Sequence, residues 1–174
     1  MLSKTTGLDS YAANFPCEDR EALIGFEEVR GGAIFDGHGG WKISDFLSRY
    51  IHPTLLKHYS SYRNEATVSQ RLTKTLEASF DELETMVTQK LKPPYQVAPD
   101  ELAYSGSCGI VALVIDDTLV VANTGDSQAV LVSTEKNGSV TSENLCAIHN
   151  TTTEEEIADL NERFSGDESI LVPN

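Results

Sequence analysis

The sequence has little cysteine: three residues in 174, with no CxxC pair. Cys17, Cys108 and Cys146 are odd in number and far apart, so they favour neither a disulfide framework nor a zinc site. We therefore expect three free thiols and a protein that works in a reducing compartment.

Positive charge is also scarce, with 13 Lys and Arg against 27 Asp and Glu and a net charge of −14. Binding to nucleic acid requires clustered Lys and Arg that replace the counterions of phosphates. Attraction to anionic lipid has a similar requirement. The composition argues against nucleic acid and membranes as partners, and the acidic residues within 141–174 are expected to form a solvated helix face.

Long apolar runs are absent, and no stretch approaches the roughly 18 residues of a membrane span. The segment Met1–Lys4 shows neither the apolar run of a secretory signal nor the Arg-rich pattern of a transit peptide. The sequence thus predicts a soluble intracellular protein, cytoplasmic or of the mitochondrial matrix. Its length predicts a single domain over residues 1–174.

Two short apolar runs within residues 22–36 flank a polar, Gly-containing turn. They predict a strand, a turn and a second strand that ends at Asp36. Helical spacing over residues 43–51 predicts an amphipathic helix that ends near Pro53. A longer helix is predicted over residues 69–91, where apolar residues recur at steps of three and four.

The period changes again in β-branched runs at 109–115, 118–122 and 129–132. These runs predict an antiparallel meander buried on both faces, with Asp116-Asp117 as a hairpin turn. Asn137-Gly138 predicts a further hairpin. Two antiparallel sheets with flanking helices, an α+β fold, is the architecture that these elements favour.

The last predicted helix begins after Thr151 and carries Glu154, Glu155 and Glu156 in its first turn. Acidic side chains there complement the helix dipole. Ile157 and later apolar residues give the helix one apolar face, so it is expected to be short and amphipathic.

Three acidic motifs stand at turns. Asp36-Gly37-His38-Gly39-Gly40 places a carboxylate and an imidazole on a sharp turn where the backbone approaches a ligand closely, which suits a metal or a phosphate. An Asp-Gly turn between a strand and a helix is also commonly structural. Glu18-Asp19 precedes the first strand, and Asp126 lies between two strands, where solvated acids and ordinary turn chemistry are the simpler interpretations.

Taken together and in this order, four motifs closely resemble the metal-dependent Ser/Thr protein phosphatases of the type 2C, or PPM, family. The resemblance extends from about Asp9 to about Phe164, nearest the pyruvate dehydrogenase phosphatase branch, because Asn14 stands where most members carry a phosphate-binding Arg. The motifs are Cys17-Glu-Asp-Arg20, Phe35-Asp-Gly-His-Gly-Gly40, Ser105-Gly-Ser-Cys-Gly109 and Val121-Ala-Asn-Thr-Gly-Asp-Ser-Gln-Ala-Val130.

The resemblance implies an antiparallel β-sandwich flanked by α-helices, with a helical insertion at about 42–91. It also implies a site for two or three Mg²⁺ or Mn²⁺ ions, which prefer oxygen ligands. By similarity Asp36 bridges two metals, Gly37 binds one through its carbonyl, and Glu18 acts through metal-bound water. Asp126 matches an acid associated with a third, weaker metal.

The implied substrate is a phosphoprotein, whose phosphoserine or phosphothreonine is attacked by a metal-activated water. By similarity Asp19 orients the water network and His38 is the general acid that protonates the leaving oxygen. Arg20 is a candidate ligand of the substrate phosphate in place of the missing Arg at position 14.

The family's later motifs supply two further Asp ligands, and neither motif occurs in this sequence. The fold is therefore expected to be incomplete on its C-terminal side. Three interpretations follow: a truncated form of an active phosphatase, a catalytically inactive phosphatase-like regulatory binding module, or a chain completed by an oligomer partner or a C-terminal complementing segment.

Overall fold

Four antiparallel strands form the main sheet of the computed structural model, in which residues 7–12, 15–91, 95, 98 and 104–164 are described. Each strand pairs with the next along the chain, and a second sheet holds two more strands. Three helices complete the described part of the chain. In chain order the elements are β1 (Arg20–Phe26), β2 (Val29–His38), α1 (Lys42–Ser61), α2 (Val68–Lys90), β3 (Gly106–Ile115), β4 (Thr118–Thr124), β5 (Val130–Thr134), β6 (Val140–Asn144) and α3 (Glu154–Arg163).

Alternation along β2 decides which side chains meet the helices. Ala33 and Phe35 are buried in the core that the main sheet shares with α1 and α2, whereas Ile34, Asp36 and His38 are exposed on the opposite face. Successive side chains of a strand point to opposite faces. The polar end of β2 therefore lies on the sheet face that the helices leave open, and the predicted α+β fold with antiparallel sheets is confirmed.

Helix α1 continues through Pro53 to Ser61, so the predicted end near Pro53 was wrong. A proline inside a helix removes one hydrogen bond and costs roughly 3 kcal/mol. Leu55 and Tyr59 lie beyond it and are almost fully buried. Burial of one such side chain contributes about 1.5–3 kcal/mol, so the two together offset the proline.

The α2 bounds match the predicted 69–91 to within one residue at each end. Thr67 caps its N-terminus by accepting a hydrogen bond from the Gln70 amide at 3.1 Å. The described helices include none that is both long and apolar enough to cross a membrane.

The second sheet departs from the predicted meander. β5 pairs with β6 rather than with β4, and every β5 residue is exposed, with Val132 at 62%. The chain turns sharply at Gly125, whose φ is +92°, and leaves the sheet before β5 begins. Apolar, β-branched composition indicates a strand but not its partner, which is why burial on both faces was wrongly expected for this run.

Both predicted hairpin turns are confirmed. β3 and β4 are joined at Asp116-Asp117, where Asp116 has a φ of +49°. β5 and β6 are joined through Asn137-Gly138, and Gly138 has a φ of +85°. These short polar turns fix the register of the strands that they join.

Tyr59 of α1 packs beneath the β1–β2 turn and is 1% exposed. Its hydroxyl donates a hydrogen bond to Glu28, and the Arg71 guanidinium lies 3.3 Å from the ring centroid. Burial, followed by the hydrogen bond to Glu28, raises the pKa of Tyr59 to about 12. The neutral phenol is therefore the form that the fold stabilises.

We expect the free energy of unfolding to fall by about 2–3 kcal/mol more in the wild type than in Tyr59→Phe as the pH rises from 10 to 12. An unfolded tyrosine loses its proton near pH 10 while the folded one keeps it until about 12, so ionisation favours the unfolded chain throughout that window. Urea unfolding at a series of alkaline pH values measures the difference. An identical alkaline loss in the two proteins would contradict it.

Candidate functional site

An acidic cluster surrounds Asp36 near the end of β2. Although Asp36 is exposed by surface area, neighbouring protein atoms remove part of its hydration and raise its pKa; the charges of Asp19 and then Asp126 raise the pKa further, while His38 lowers it. Electrostatic coupling of this kind acts over a few ångströms. The structure thus brings together three carboxylates that come from separate parts of the sequence.

Asp126 reaches the cluster because Gly125 allows a very close approach to β3. Asp36 lies opposite Cys108 in the β2–β3 register, and the Cys108 thiol donates to Asp126 Oδ1 at 3.5 Å. A Cβ on Gly125 would lie 2.3 Å from Cys108 Sγ. Burial raises the pKa of the Cys108 thiol, which therefore stays protonated between the two carboxylates.

Glu18 is fixed against the helix-facing side of β2. A Cβ on Gly37 would lie 2.5 Å from the Glu18 carbonyl oxygen and 2.8 Å from Ser44 Oγ. The Ser44 hydroxyl donates to that same Glu18 oxygen and lies 3.0 Å from the Trp41 carbonyl oxygen. Glycine at position 37 is therefore required for the Glu18 backbone to lie beside β2.

The turn after Asp36 is held by the start of β3. His38 lies opposite Gly106, where a Cβ would come within 2.6 Å of His38 Nε2. Gly39 has a φ of +66°, and the Ser105 hydroxyl donates to its carbonyl at 2.7 Å. His38 is thereby held at the exposed end of β2, on the same sheet face as Asp36.

Arg20 makes its contacts within the protein. Its Nε donates to Asp45 Oδ1 at 3.0 Å, and its Nη1 donates to the carbonyls of Cys17 and Asp19 at 2.9 and 2.7 Å. These bonds already occupy Nε and Nη1. A contact between Arg20 and a substrate phosphate therefore gains no support from the geometry and stays a prediction. Asn14 lies outside the described residues.

A model of the family described as "Protein phosphatase 2C" matches residues 12–164 of the chain. The chain belongs to the protein phosphatase 2C family. Among curated relatives of this phosphatase 2C chain, the probable protein phosphatase 2C 78 of Oryza sativa subsp. japonica is 32% identical over 92% of the chain. Protein phosphatase 2C 1 of Paramecium tetraurelia is 30% identical over 64% of the chain.

Solved structures support the same fold for the phosphatase 2C chain. A serine-threonine phosphatase 2C from Toxoplasma gondii matches 83% of the chain and 49% of its own length, with a TM-score of 0.59 at 18% identity. A C. elegans sex determining protein matches 91% of the chain and 37% of its own length, with a TM-score of 0.64 at 21% identity. The chain spans 39% of the rice relative and 36% of the Paramecium one. Assignment to the pyruvate dehydrogenase phosphatase branch stays a prediction.

The donor chemistry of this phosphatase 2C site fits a hard divalent cation, because carboxylate and carbonyl oxygens are the ligands that Mg²⁺ and Mn²⁺ prefer. The charges of Asp19 and Asp126 raise the pKa of Asp36, and the three carboxylates together present the negative charge that a cation neutralises. Within the described ranges, however, no three His, Cys, Asp or Glu side chains stand close enough to hold a metal ion by themselves. The oxygen donors are of the type that such a cation prefers, but too few of them lie close together in the described part of the chain to hold it.

Sequence reasoning missed Ser44 and Asp45, which link the Glu18-Asp19 segment to α1. Asp45 reads as an ordinary helix acid, yet it is only 9% exposed. Burial favours a raised pKa for Asp45, but hydrogen bonds from Arg49, Arg20 and Tyr95 outweigh burial and hold its pKa below the usual value. The spacing of Asp45 and Arg49, four residues apart on a helix, is the one signal that could have pointed to it.

Proposed function

We propose that this chain forms part of a metal-dependent protein phosphatase that hydrolyses phosphoserine and phosphothreonine. The observation that carries the proposal is the convergence of Asp19 and Asp126 on Asp36 at the end of β2. Membership of the protein phosphatase 2C family supports the reaction class. A cluster of carboxylates at one sheet end raises the free energy of the fold unless a cation neutralises it, as expected of a site kept for function.

Asp36, Glu18 and the Gly37 carbonyl are the proposed ligands of two Mg²⁺ or Mn²⁺ ions, and Asp126 of a weaker third. When bound, such ions lower the pKa of a water and stabilise charge on the attacking and leaving oxygens. Asp19 accepts hydrogen bonds from the attacking water and orients it. His38, exposed at the end of β2, donates a proton to the departing Ser or Thr oxygen.

The remaining carboxylate ligands are proposed to come from outside this chain, as a C-terminal complementing segment or a second subunit. Among the described residues, no three His, Cys, Asp or Glu side chains are placed so that they could hold a metal ion, which supports this. So does the exposure of β5 and β6 on both faces, since a sheet in the complete family fold is expected to be covered. In isolation the chain is expected to bind a divalent cation weakly.

A second candidate function is a non-catalytic binding module that regulates a partner. The shortage of metal ligands within the described residues favours it. In that case partner binding depends on the fold and not on the acidic cluster, so Asp36→Asn leaves it unchanged.

Mn²⁺-dependent hydrolysis of a phosphothreonine peptide tests the proposal. The isolated chain is expected to show little turnover, and turnover should rise by at least roughly 100-fold when the C-terminal part of the rice relative is supplied as a fusion, because missing inner-shell ligands are restored. EDTA should abolish that activity. Rice-segment protein alone and a His38→Gln fusion serve as controls. A folded, Mn²⁺-loaded fusion without activity would contradict the proposal and favour the binding module.

A further inference from the structure

The segment that carries Glu18 and Asp19 is tied to α1 by the side chain of Arg20. Arg20 Nη1 donates to two carbonyls of this segment, those of Cys17 and Asp19. The Nε of the same guanidinium donates to Asp45. One planar group thus joins two points of the segment to one point on the helix, and the rigid fork of a guanidinium fixes this geometry better than the single rotatable nitrogen of an ammonium.

Asp45 is a firm anchor for this contact. It is buried on α1, and its two oxygens have different partners: Oδ1 accepts from Arg20, while Oδ2 accepts from Arg49 Nε at 2.8 Å and from the Tyr95 hydroxyl at 2.9 Å. Because Arg49 and Tyr95 occupy Oδ2, the carboxylate is oriented with Oδ1 toward Arg20. A buried carboxylate bonded on both oxygens has little freedom to reorient.

A tie between the segment and α1 acts against the repulsion within the acidic cluster. The charge of Asp19 opposes ionisation of Asp36, so the two carboxylates favour separation of the segment from β2. Helix α1 begins directly after the Asp36–Gly40 turn, so a segment tied to α1 shares one rigid frame with Asp36. The contact from Ser44 to the Glu18 carbonyl adds a second tie to the same helix.

We propose that Arg20 and Asp45 form a clamp that positions Glu18 and Asp19 beside Asp36 for binding a divalent cation. In this role Arg20 is a positioning residue and not a ligand of the substrate phosphate. The inference rests on the proposed function, because it assigns a role in building the same site.

Order parameters from ¹⁵N relaxation of the cation-free chain test the clamp. Wild-type amides of Glu18 and Asp19 are expected near 0.85, as in rigid backbone, and to fall below roughly 0.6 in Arg20→Gln and in Asp45→Asn. Arg49→Gln is the matched control, since it removes the same charge beside Asp45 from a side chain that is 65% exposed and lacks a bond to the segment. Because the Tyr95 hydroxyl still holds Asp45 Oδ2 in this variant, the order parameters should stay close to those of the wild type.

Mn²⁺ affinity, measured from the EPR signal of free Mn²⁺, is the second readout. We expect a loss of roughly 10- to 100-fold in Arg20→Gln and Asp45→Asn, the range for residues that orient metal ligands, and less than threefold in Arg49→Gln. Arg20→Lys keeps the charge but replaces the rigid fork, whose Nε and Nη1 bond different acceptors, with one freely rotating nitrogen, so it should restore neither readout.

Unchanged order parameters in both clamp variants, or full restoration by Arg20→Lys, would overturn the clamp. An ordered-to-mobile change with unaltered Mn²⁺ affinity would overturn its positioning role. A wild-type chain that binds no Mn²⁺ contradicts the proposed function and the positioning role together, while the order parameters still decide whether the clamp holds the segment. Far-UV circular dichroism identifies a variant that has not folded, in which case the other clamp variant decides the result.

Discussion

Asp36→Asn is expected to abolish the thermal stabilisation of the chain by Mn²⁺ while leaving its stability in EDTA unchanged or slightly higher. Burial and the charges of Asp19 and Asp126 all oppose ionisation of Asp36, so its negative charge destabilises the cation-free fold. Asparagine has nearly the same shape and removes that charge. It also removes the carboxylate that the proposed ligand set shares between two metals.

Thermal unfolding with and without Mn²⁺ measures both effects. A ligand that binds only the folded state at 100 times its Kd stabilises it by about 2.7 kcal/mol. For a chain of this size that corresponds to a rise in Tm of roughly 5–10 °C. The wild type should show this rise at saturating Mn²⁺, and Asp36→Asn should show less than roughly 1 °C, because an affinity loss of more than 100-fold is expected when a shared inner-shell ligand is removed.

Asp117→Asn is the matched control for charge. It makes the same chemical change in the exposed turn between β3 and β4, and β3 reaches that turn at Ile115, seven residues beyond Cys108 and roughly 24 Å away. The Mn²⁺ response of this variant should equal that of the wild type. Equal Mn²⁺ responses in the wild type and Asp36→Asn would remove Asp36 from the metal site.

The helices, strands and tight turns of this fold are determined largely by short stretches of sequence. Helix α2 was predicted to within one residue because its apolar period is unbroken. The β1–β2 hairpin and the Asp116-Asp117 turn depend on residues within a few positions of one another, and all four strands involved were predicted. Periodicity and turn chemistry are local properties, so local reasoning recovers them.

Other features depend on contacts between distant residues and could not be predicted in this way. The continuation of α1 beyond Pro53 is decided by the burial of Leu55 and Tyr59 against the sheet and α2. The partner of β5 is decided by the turn at Gly125. The contact of Arg20 with Asp45 is of the same kind, because the burial of Asp45 cannot be seen in the sequence. The sequence offered Arg20 as a phosphate ligand only in place of the Arg missing at position 14, and that role stays a prediction.

The acidic cluster depends both on local sequence features and on contacts between distant residues. Each of Asp19, Asp36 and Asp126 could be placed at the end of an element from sequence, but each alone is typical of an ordinary turn. Their convergence requires the antiparallel pairing that sets Asp36 opposite Cys108 and lets Gly125 pack against that cysteine. The resemblance to a family predicted that these three acids belong to one site. The β2–β3 register and the close approach of Gly125 to Cys108 explain how Asp36 and Asp126 come together.

Gly31→Ala is expected to destabilise the chain by about 3 kcal/mol or more. A Cβ at position 31 would lie 2.0 Å from the Ala112 carbonyl oxygen and 3.2 Å from Leu113 Cα, both in the β3 backbone. Because backbone cannot turn aside as a side chain can, β2 and β3 must separate where Gly31 faces Leu113. Forced overpacking of this kind costs roughly 1–3 kcal/mol and more when the backbone must move. Urea unfolding followed by circular dichroism measures the loss.

Gly32→Ala makes the same substitution one residue further along β2 and is the matched control. Its Cβ would lie 3.6 Å from the Ala22 carbonyl oxygen, an ordinary contact, so the change in stability should stay within about 0.5 kcal/mol or be a small gain from the less flexible unfolded chain. Asp36 lies on the same strand, five residues beyond Gly31. Displacement of β2 from β3 should therefore also separate Asp36 from Cys108 and Asp126, and the folded fraction of Gly31→Ala should lose its Mn²⁺ response while Gly32→Ala retains it. Equal stability and equal Mn²⁺ response in the two variants would show that the close approach of β2 and β3 does not determine the position of Asp36.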